Sequence, residues 1–394
     1  MVTVAPDSEL TILLTLKDRT AYTCRWMTYL DSITFPFSVL IADGGSDEDL
    51  PRVLSDTSSF PNVSYEYVRY PPDRCYADFY AKLENALARI QTPFVAMADN
   101  DDFFVVHGLQ ESVDFLRLRP EYAACGGQIA YFSVHPPESA NPEQLVYGAR
   151  VTWRPSFIQQ PPFARTASER VRNHFGGFLE PYYHVQRTTA LRRHFSAVKD
   201  LNPTDLCLQE YLHCFLTAIT GEAKQLDTLY LARQHNSPDS AYRAHTARAG
   251  DWFGRMLAPS WSAEFGQMVD IASSALAETD GLSLEEARAW VITSYRLSAA
   301  PGVLWNVAEE PTIPYGISVV GSTVFAKLPR DSRLRRVAQR LYRSGRWLRE
   351  RALWRRMTGS RAVADEFARI NAFLTSHAGA PAPSGGGASR SALP

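Results

Sequence analysis

The sequence predicts an α/β domain on a mostly parallel sheet, with a helical extension at its C-terminal side. Two observations predict this. Over the first 135 residues, short apolar runs alternate with stretches of helical spacing, and from about Ser240 to Ala300 helical periodicity alone dominates. Apolar strands alternating with helices imply a sheet covered on both faces. In such sheets, ligands collect beyond the carboxyl ends of the strands.

Leu10 to Thr15 is the first apolar run, and the polar turn Lys17-Asp18-Arg19-Thr20 follows it. An amphipathic stretch then runs from Tyr22 to Ile33. Phe37 to Ala42 is the second strand and ends in Asp43-Gly44-Gly45-Ser46-Asp47, while Val63 to Val68 is the third. Phe79, Leu83, Leu87 and Ile90 share one helical face between Tyr76 and Ile90. Phe94 to Ala98 is the fourth strand, and it stops at Asp99-Asn100-Asp101-Asp102. A helix from His107 to Leu118, a strand from Ala123 to Val134 and an irregular Pro-rich passage over 135–165 come next. Tyr182 to Gln186 reads as a strand, Thr188 to Val198 and Asp205 to Ile219 as helices, and Leu226 to Ala232 as a final strand. Ser283-Leu-Glu-Glu286 has the form of a capping box. The expected organisation is a sheet domain over 8–236, a helical region over 237–325, a basic amphipathic segment over 326–378 and a disordered tail over 379–394.

Composition narrows the class. The chain has 394 residues, 45% hydrophobic, with eighteen Tyr and twenty Phe, which excludes wholesale disorder. The five cysteines form no CxxC pair, which argues against a disulfide framework or structural zinc. The N-terminus lacks a basic leader and no run is long enough to span a bilayer, so a cytoplasmic location is expected. Thirteen Lys/Arg against two acids between Lys327 and Arg361 give a local charge of +11 and leave −12 on the rest. That acidic body argues against nucleic acid as a partner. The basic segment, with Trp347 and Trp354, suits either an anionic membrane surface over 329–361 or the acidic body itself.

Polar residues at strand ends carry the chemistry. Asp99, Asp101 and Asp102 can converge on a hard cation, Mn²⁺ or Mg²⁺, which prefers oxygen ligands. A polar turn with Asp102 as a helix cap is the alternative. Asp43 can accept hydrogen bonds from a nucleobase or ribose, with Gly44 and Gly45 letting a flat ligand approach, or the loop is an ordinary turn. Lys17, Arg19, Arg74 and Lys82 supply positive charge that suits a diphosphate, although Lys82 fits a solvated helix face equally.

Together, TLKDR, IADGGSDE, YAKLENAL and FVAMADNDDFF resemble the motif series of family 2 inverting glycosyltransferases of the GT-A fold, which is Rossmann-like. The resemblance covers roughly residues 8 to 235. It implies transfer of a sugar from a UDP- or GDP-linked donor to a carbohydrate or lipid-linked acceptor, in the synthesis of surface polysaccharide, glycolipid or glycoconjugate. It places the nucleotide sugar at Thr15, Lys17, Asp18, Arg19, Asp43, Lys82, Asp99 and Asp101, with the helix asparagine at Asn85. It places the metal at Asp101, Asp102 and His235. The catalytic base falls on Glu210 by its spacing to Gly221, with Asp205 as the alternate. The sequence departs from the family pattern at Gln209 in place of an acid, at Thr15-Leu16 in place of Pro-Thr, and at Ala42 in place of Asp. A nucleotidyltransferase, or a nucleotide-sugar-binding scaffold without turnover, is the competing expectation.

Overall fold

Alternate residues of the first strands belong to two different apolar cores, which fixes the layering. Leu10, Ile12 and Leu14 of the first strand, with Val39, Ile41, Phe94 and Ala96 of its neighbours, pack into one core. Leu13, Leu40, Ala42, Val95 and Met97 point the other way into the second. Side chains on a strand alternate between faces, so both sides must be roofed by helices.

The computed structural model describes residues 8–135, 145–177, 181–238, 241–250, 252–307 and 348–376. The first half comprises β1 (Leu10–Leu16), α1 (Thr20–Ser32), β2 (Ser38–Asp43), α2 (Asp49–Leu54), β3 (Tyr65–Arg69), α3 (Tyr76–Arg89) and β4 (Phe94–Ala98). There follow β5 (Phe103–Phe104), α4 (Val106–Leu118), β6 (Tyr122–His135), β7 (Arg150–Ser156), α5 (Ala167–Gly177), β8 (Val185–Arg187), α6 (Thr188–Leu201), α7 (Leu206–Thr220) and β9 (Glu222–Gln234). The rest is helical: α8 (Ala241–Ala249), α9 (Trp252–Met256), α10 (Trp261–Asp280), α11 (Leu284–Val307), α12 over 348–357 and α13 (Arg361–Ser376).

The sheet runs β3-β2-β1-β4-β8-β6-β9-β5, with β7 on β6. Its first four strands are parallel, as is β6 with β9, while β8, β5 and β7 pair antiparallel. The α/β sheet with a helical C-terminal extension is therefore as expected. Helices α1, α4 and α13 cover the first core. Helices α3, α6 and α7 cover the second, and α10 and α11 add Met268, Val269, Val291 and Tyr295 to that same core. The capping box forms, with the Glu286 N–H donating to Ser283 Oγ at 3.2 Å and the Ser283 N–H to Glu286 Oε2 at 3.0 Å.

One expectation is corrected. The passage 135–165 is not wholly irregular, because β7 pairs with the second half of β6 from His135↔Arg150 to Ile129↔Ser156. Pro155 obscures this strand in the sequence, yet proline is admissible where its missing N–H owes no ladder bond.

Of the basic segment, 326–347 lies outside the described residues, as do 308–325 and the tail 379–394. The described part packs on the body. Met357, Val363, Ile370, Phe373 and Leu374 join the first core, and Arg356 pairs with Asp227 at 2.6 Å. No helix among the described residues is long and apolar enough to cross a membrane. Glu366 of α13 caps α4, accepting from the Val106 N–H at 2.6 Å and the His107 N–H at 3.2 Å. Glu366→Ala removes both acceptors from a helix N-terminus and is expected to cost about 1–2 kcal/mol. A lower urea midpoint at unchanged slope would show it; an unchanged midpoint would refute the cap.

Candidate active site

The turn after β1 is built by two consecutive residues in left-handed backbone, Asp18 at φ 57° and Arg19 at φ 61°. Such conformations cost about 1–3 kcal/mol each outside glycine and persist only where the surroundings impose them. Here the Arg19 carbonyl accepts from the Tyr22 and Thr23 N–H groups to start α1. Asp18 Oδ1 accepts from the backbone N–H groups of Ser46 and Asp47 at 2.7 and 3.1 Å, which ties the loop after β1 to the loop after β2. The same twist throws the Arg19 side chain across to the end of β4. There Nη2 donates to Asp101 Oδ2 at 3.1 Å and to the Ser237 hydroxyl. Its guanidinium lies 4.3 Å from the Tyr22 ring centroid.

Asp99, Asp101 and Asp102 converge beyond β4, each offering one oxygen within 4.8 Å of the others. Tyr183 donates to Asp99 Oδ2 at 2.5 Å. Asp102 uses both oxygens internally: Arg233 Nε donates to Oδ2 at 2.9 Å and the Gln234 N–H to Oδ1 at 2.9 Å. Arg233 also lies 4.4 Å from the Tyr183 ring centroid, linking the supports of Asp99 and Asp102. Arg25, fully buried, donates to the Asp101 carbonyl at 3.0 Å and to Gln234 Oε1 at 2.9 Å.

Crowding sets the protonation. Burial, then repulsion from its two neighbours, pushes Asp102 up to about 8 against the pull of Arg233. Burial and Asp101 raise Asp99 in the same way. Asp101 also feels burial, but Arg19, Ser237 and Arg25 outweigh it and hold its carboxyl below the usual range. Three carboxylates this close do not all ionise at neutral pH without more positive charge, and a divalent cation supplies it. The donor set is all oxygen, which suits Mn²⁺ or Mg²⁺.

The other strand-end residues behave differently from their sequence reading. Asp43 reaches the end of β2 as expected but is fully buried. Its oxygens accept from the Gly45 N–H at 2.7 Å, Tyr67 Oη at 2.6 Å and Arg69 Nη1 at 2.5 Å. Arg69 is its direct neighbour across the parallel β2–β3 register, so this carboxylate holds the strand ends together and shows no free face to a nucleobase. A Cβ on Gly44 would come within 2.3 Å of the Asp73 carboxylate, and one on Gly45 within 2.6 Å of the Asp18 nitrogen. These glycines serve the packing of loop on loop. Lys82 is neither solvated nor open to a diphosphate: it is buried, pairs with Asp73 and donates to the Leu16 carbonyl at 3.0 Å. Lys17 donates to the Asp73 carbonyl at 2.6 Å. Thr15 is half-buried in β1. Asn85 accepts from Tyr70 Oη at 2.9 Å on the outer face of α3.

His235 is exposed, with its ring edge-on to Tyr131, and is not part of the carboxylate group. Asp205 caps α7, accepting the Cys207 N–H at 2.8 Å, while Glu210 lies five residues further along the helix, half-buried. Sequence reasoning missed Arg69, Asp73, Tyr183 and Ser237. Arg233 had a signal, since it stands in the Arg-Gln-His triplet that ends β9.

No family model matches the chain, nor does any curated protein sequence. Among solved structures, the chain is similar to S. aureus TarS 1-349 in complex with UDP-GlcNAc, at 11% identity over 77% of this chain and 76% of that one, with a TM-score of 0.46. It is also similar to the mannosyltransferase PcManGT from Pyrobaculum calidifontis in complex with GDP-Man and Mn²⁺, at 15% identity over 79% and 91% of the two chains, with a TM-score of 0.37. At this distance the side chains of the site, not the likeness, carry the chemistry.

Proposed function

We propose that this chain is a glycosyltransferase that moves a sugar from a nucleotide-diphosphate donor to an acceptor hydroxyl with inversion. The observation that carries the reading is the convergence of Asp99, Asp101 and Asp102 at the ligand-binding edge of the sheet, with Arg19 reaching them from the loop after β1. Asp99 and Asp101 are the better metal ligands, since Asp102 already spends both oxygens on Arg233 and the Gln234 N–H. Mn²⁺ or Mg²⁺ bound there would neutralise the diphosphate as it leaves.

The chain's own residues do the rest. Arg19 and Arg233 stand at the triad as the cations available to a diphosphate. Asp205 is the stronger candidate for the base. It lies at the N-terminus of α7, on the sheet's ligand edge, whereas Glu210 sits about 7.5 Å further down the helix axis at 1.5 Å per residue. A carboxylate there can take the acceptor proton, and one base with one displacement inverts the anomeric centre. The acceptor in this proposal is a carbohydrate or lipid-linked hydroxyl, the setting the cytoplasm or the inner face of a membrane.

Thermal shift tests the donor site. UDP, GDP and their sugars with Mn²⁺ are expected to raise the melting temperature by a few degrees, since a ligand at 100 times its Kd adds about 2.7 kcal/mol. No shift with any nucleotide, with or without metal, would overturn the proposal. One observation favours a second reading, binding without turnover: Gln209 stands where the family pattern has an acid. Slow hydrolysis of the bound donor separates an enzyme from a scaffold.

A further inference from the structure

The same sheet edge carries a second polar cluster, a directed chain of hydrogen bonds. Arg248 Nη2 lies 2.9 Å from Tyr76 Oη, Tyr76 Oη lies 2.9 Å from His245 Nδ1, and His245 Nε2 lies 3.2 Å from Asp205 Oδ1. Its ends set its direction, because a guanidinium only donates and an ionised carboxylate only accepts. Arg248 donates to the phenol oxygen, so the phenol proton points at Nδ1. The imidazole therefore keeps its own proton on Nε2, aimed at Asp205. Arg255 of α9 faces the other carboxylate oxygen at 3.4 Å. His245 is 2% and Asp205 6% exposed. The groups facing His245 are thus Tyr76 from α3 and Asp205 at the start of α7, with Arg248 behind the phenol and Arg255 behind the carboxylate.

Topology places this chain at the ligand edge. Tyr76 opens α3 just after β3, Asp205 caps the helix that leads into β9, and α8 follows β9. The link between β9 and α8 contains Ser237, whose hydroxyl accepts from Arg19, the partner of Asp101. A polar network this buried is costly unless every member is satisfied, and it fixes one geometry when they are.

We propose that His245 is a positioning residue that holds Asp205 as the proton acceptor of the transfer, with its tautomer set by Tyr76 and Arg248. The inference rests on the glycosyltransferase reading. As the acceptor oxygen bonds to the anomeric carbon, the carbon–oxygen bond to the diphosphate breaks and its electron pair leaves with the diphosphate. The acceptor proton passes to the Asp205 carboxylate.

The test is steady-state hydrolysis of UDP- and GDP-hexoses by the full chain with Mn²⁺, water serving as acceptor. His245→Ala is expected to lower kcat about 100-fold, the scale of a general-base contribution, with KM for the donor unchanged. It should also move the acid limb of the kcat profile to higher pH, since Asp205 loses a donor to its charged form. His245→Gln, whose amide can replace the Nε2–H, is expected to fold and recover most of the rate. Tyr76→Phe should reproduce the pH displacement in milder form. A wild-type kcat and acid limb in His245→Ala, even with a lower melting temperature, would reduce His245 to a structural latch and overturn the inference alone. Wild-type protein that binds nucleotides yet turns over no donor would overturn the transferase reading and the inference with it.

Discussion

Asp101→Asn is expected to lower turnover by about 10³-fold, several kcal/mol of barrier, while moving the melting temperature by no more than a few degrees. Two losses add in the same direction. The triad loses the carboxylate that is most firmly ionised, and Arg19 loses the charge that draws it to the end of β4. For stability two effects oppose each other: Arg19 and Arg25 favour the Asp101 charge and hold its carboxyl low, while that charge repels its neighbours. Its charge raises both Asp99 and Asp102, so removing it lets those two ionise more easily. Arg19 keeps Ser237 and its place over Tyr22, which limits the cost of a broken pair. Paired measurements of kcat and melting temperature decide the matter. Unchanged turnover would remove the triad from the mechanism, and a large fall in melting temperature would make Asp101 a structural ion-pair partner. The nucleotide-induced thermal shift should also lose its dependence on Mn²⁺ in this variant.

The protein is expected to lose stability steeply on mild acidification, and four histidines are the cause. His174, His184, His194 and His213 are all buried. Burial holds His174 at about 4, His184 and His194 at about 3, and His213 well below the ordinary value. Each ring is neutral inside: His194 bonds Thr220 Oγ1 at 3.0 Å and His213 bonds Gln186 at 3.1 Å, while one nitrogen of each of the four rings has no hydrogen-bond partner among the described residues. The unfolded chain takes up these protons near pH 6.5, and the native chain refuses them until about pH 4. Below pH 6.5 the unfolded state therefore binds more protons, so stability is complete above that point and falls as pH falls. Each histidine contributes about 1.4 kcal/mol per pH unit, while the raised Asp99 and Asp102, protonated in the native chain and ionised in the unfolded one, oppose them with up to two such contributions and leave roughly 3 kcal/mol per unit. Over two pH units that sums to roughly 6 kcal/mol, comparable to the whole stability of an ordinary domain, about 5–15 kcal/mol. Cooperative unfolding is expected between about pH 6 and 4.5, read as a falling urea midpoint. His194→Gln can keep the bond to Thr220 without titrating, and it should flatten the slope by about 1.4 kcal/mol per pH unit. A urea midpoint constant from pH 6.5 to 5 would contradict this account.

Period and punctuation in the sequence determine most of the architecture. FSVLIA and FVAMA read as strands roofed on both faces, because they are near-continuous apolar runs interrupted only by Ser38, and β2 and β4 fall on those runs. The spacing of Phe79, Leu83 and Leu87 yields α3, and Asp205 stops one residue short of α7 because a helix N-terminus needs an acceptor. The cluster Asp99-Asn-Asp-Asp102 is legible for the same reason: it is local, and three like charges in four residues ask for a counter-charge. Which counter-charge each carboxylate meets is not local. Asp43 and Asp101 look alike in sequence, yet Asp43 is consumed by Arg69 because the β2–β3 register sets them side by side, while Asp101 faces the triad. Tyr183 comes to Asp99 from 84 residues away and Arg233 to Asp102 from 131. Lys82 and Asp73, which read as a solvated cation and an unremarked loop acid, become a buried pair once α3 folds over the end of β1. A carboxylate's local sequence determines that it is charged and where along its strand it stands. Whether that charge is spent on the fold or left for a ligand depends on its neighbours across the sheet, and the tertiary order of the strands chooses those.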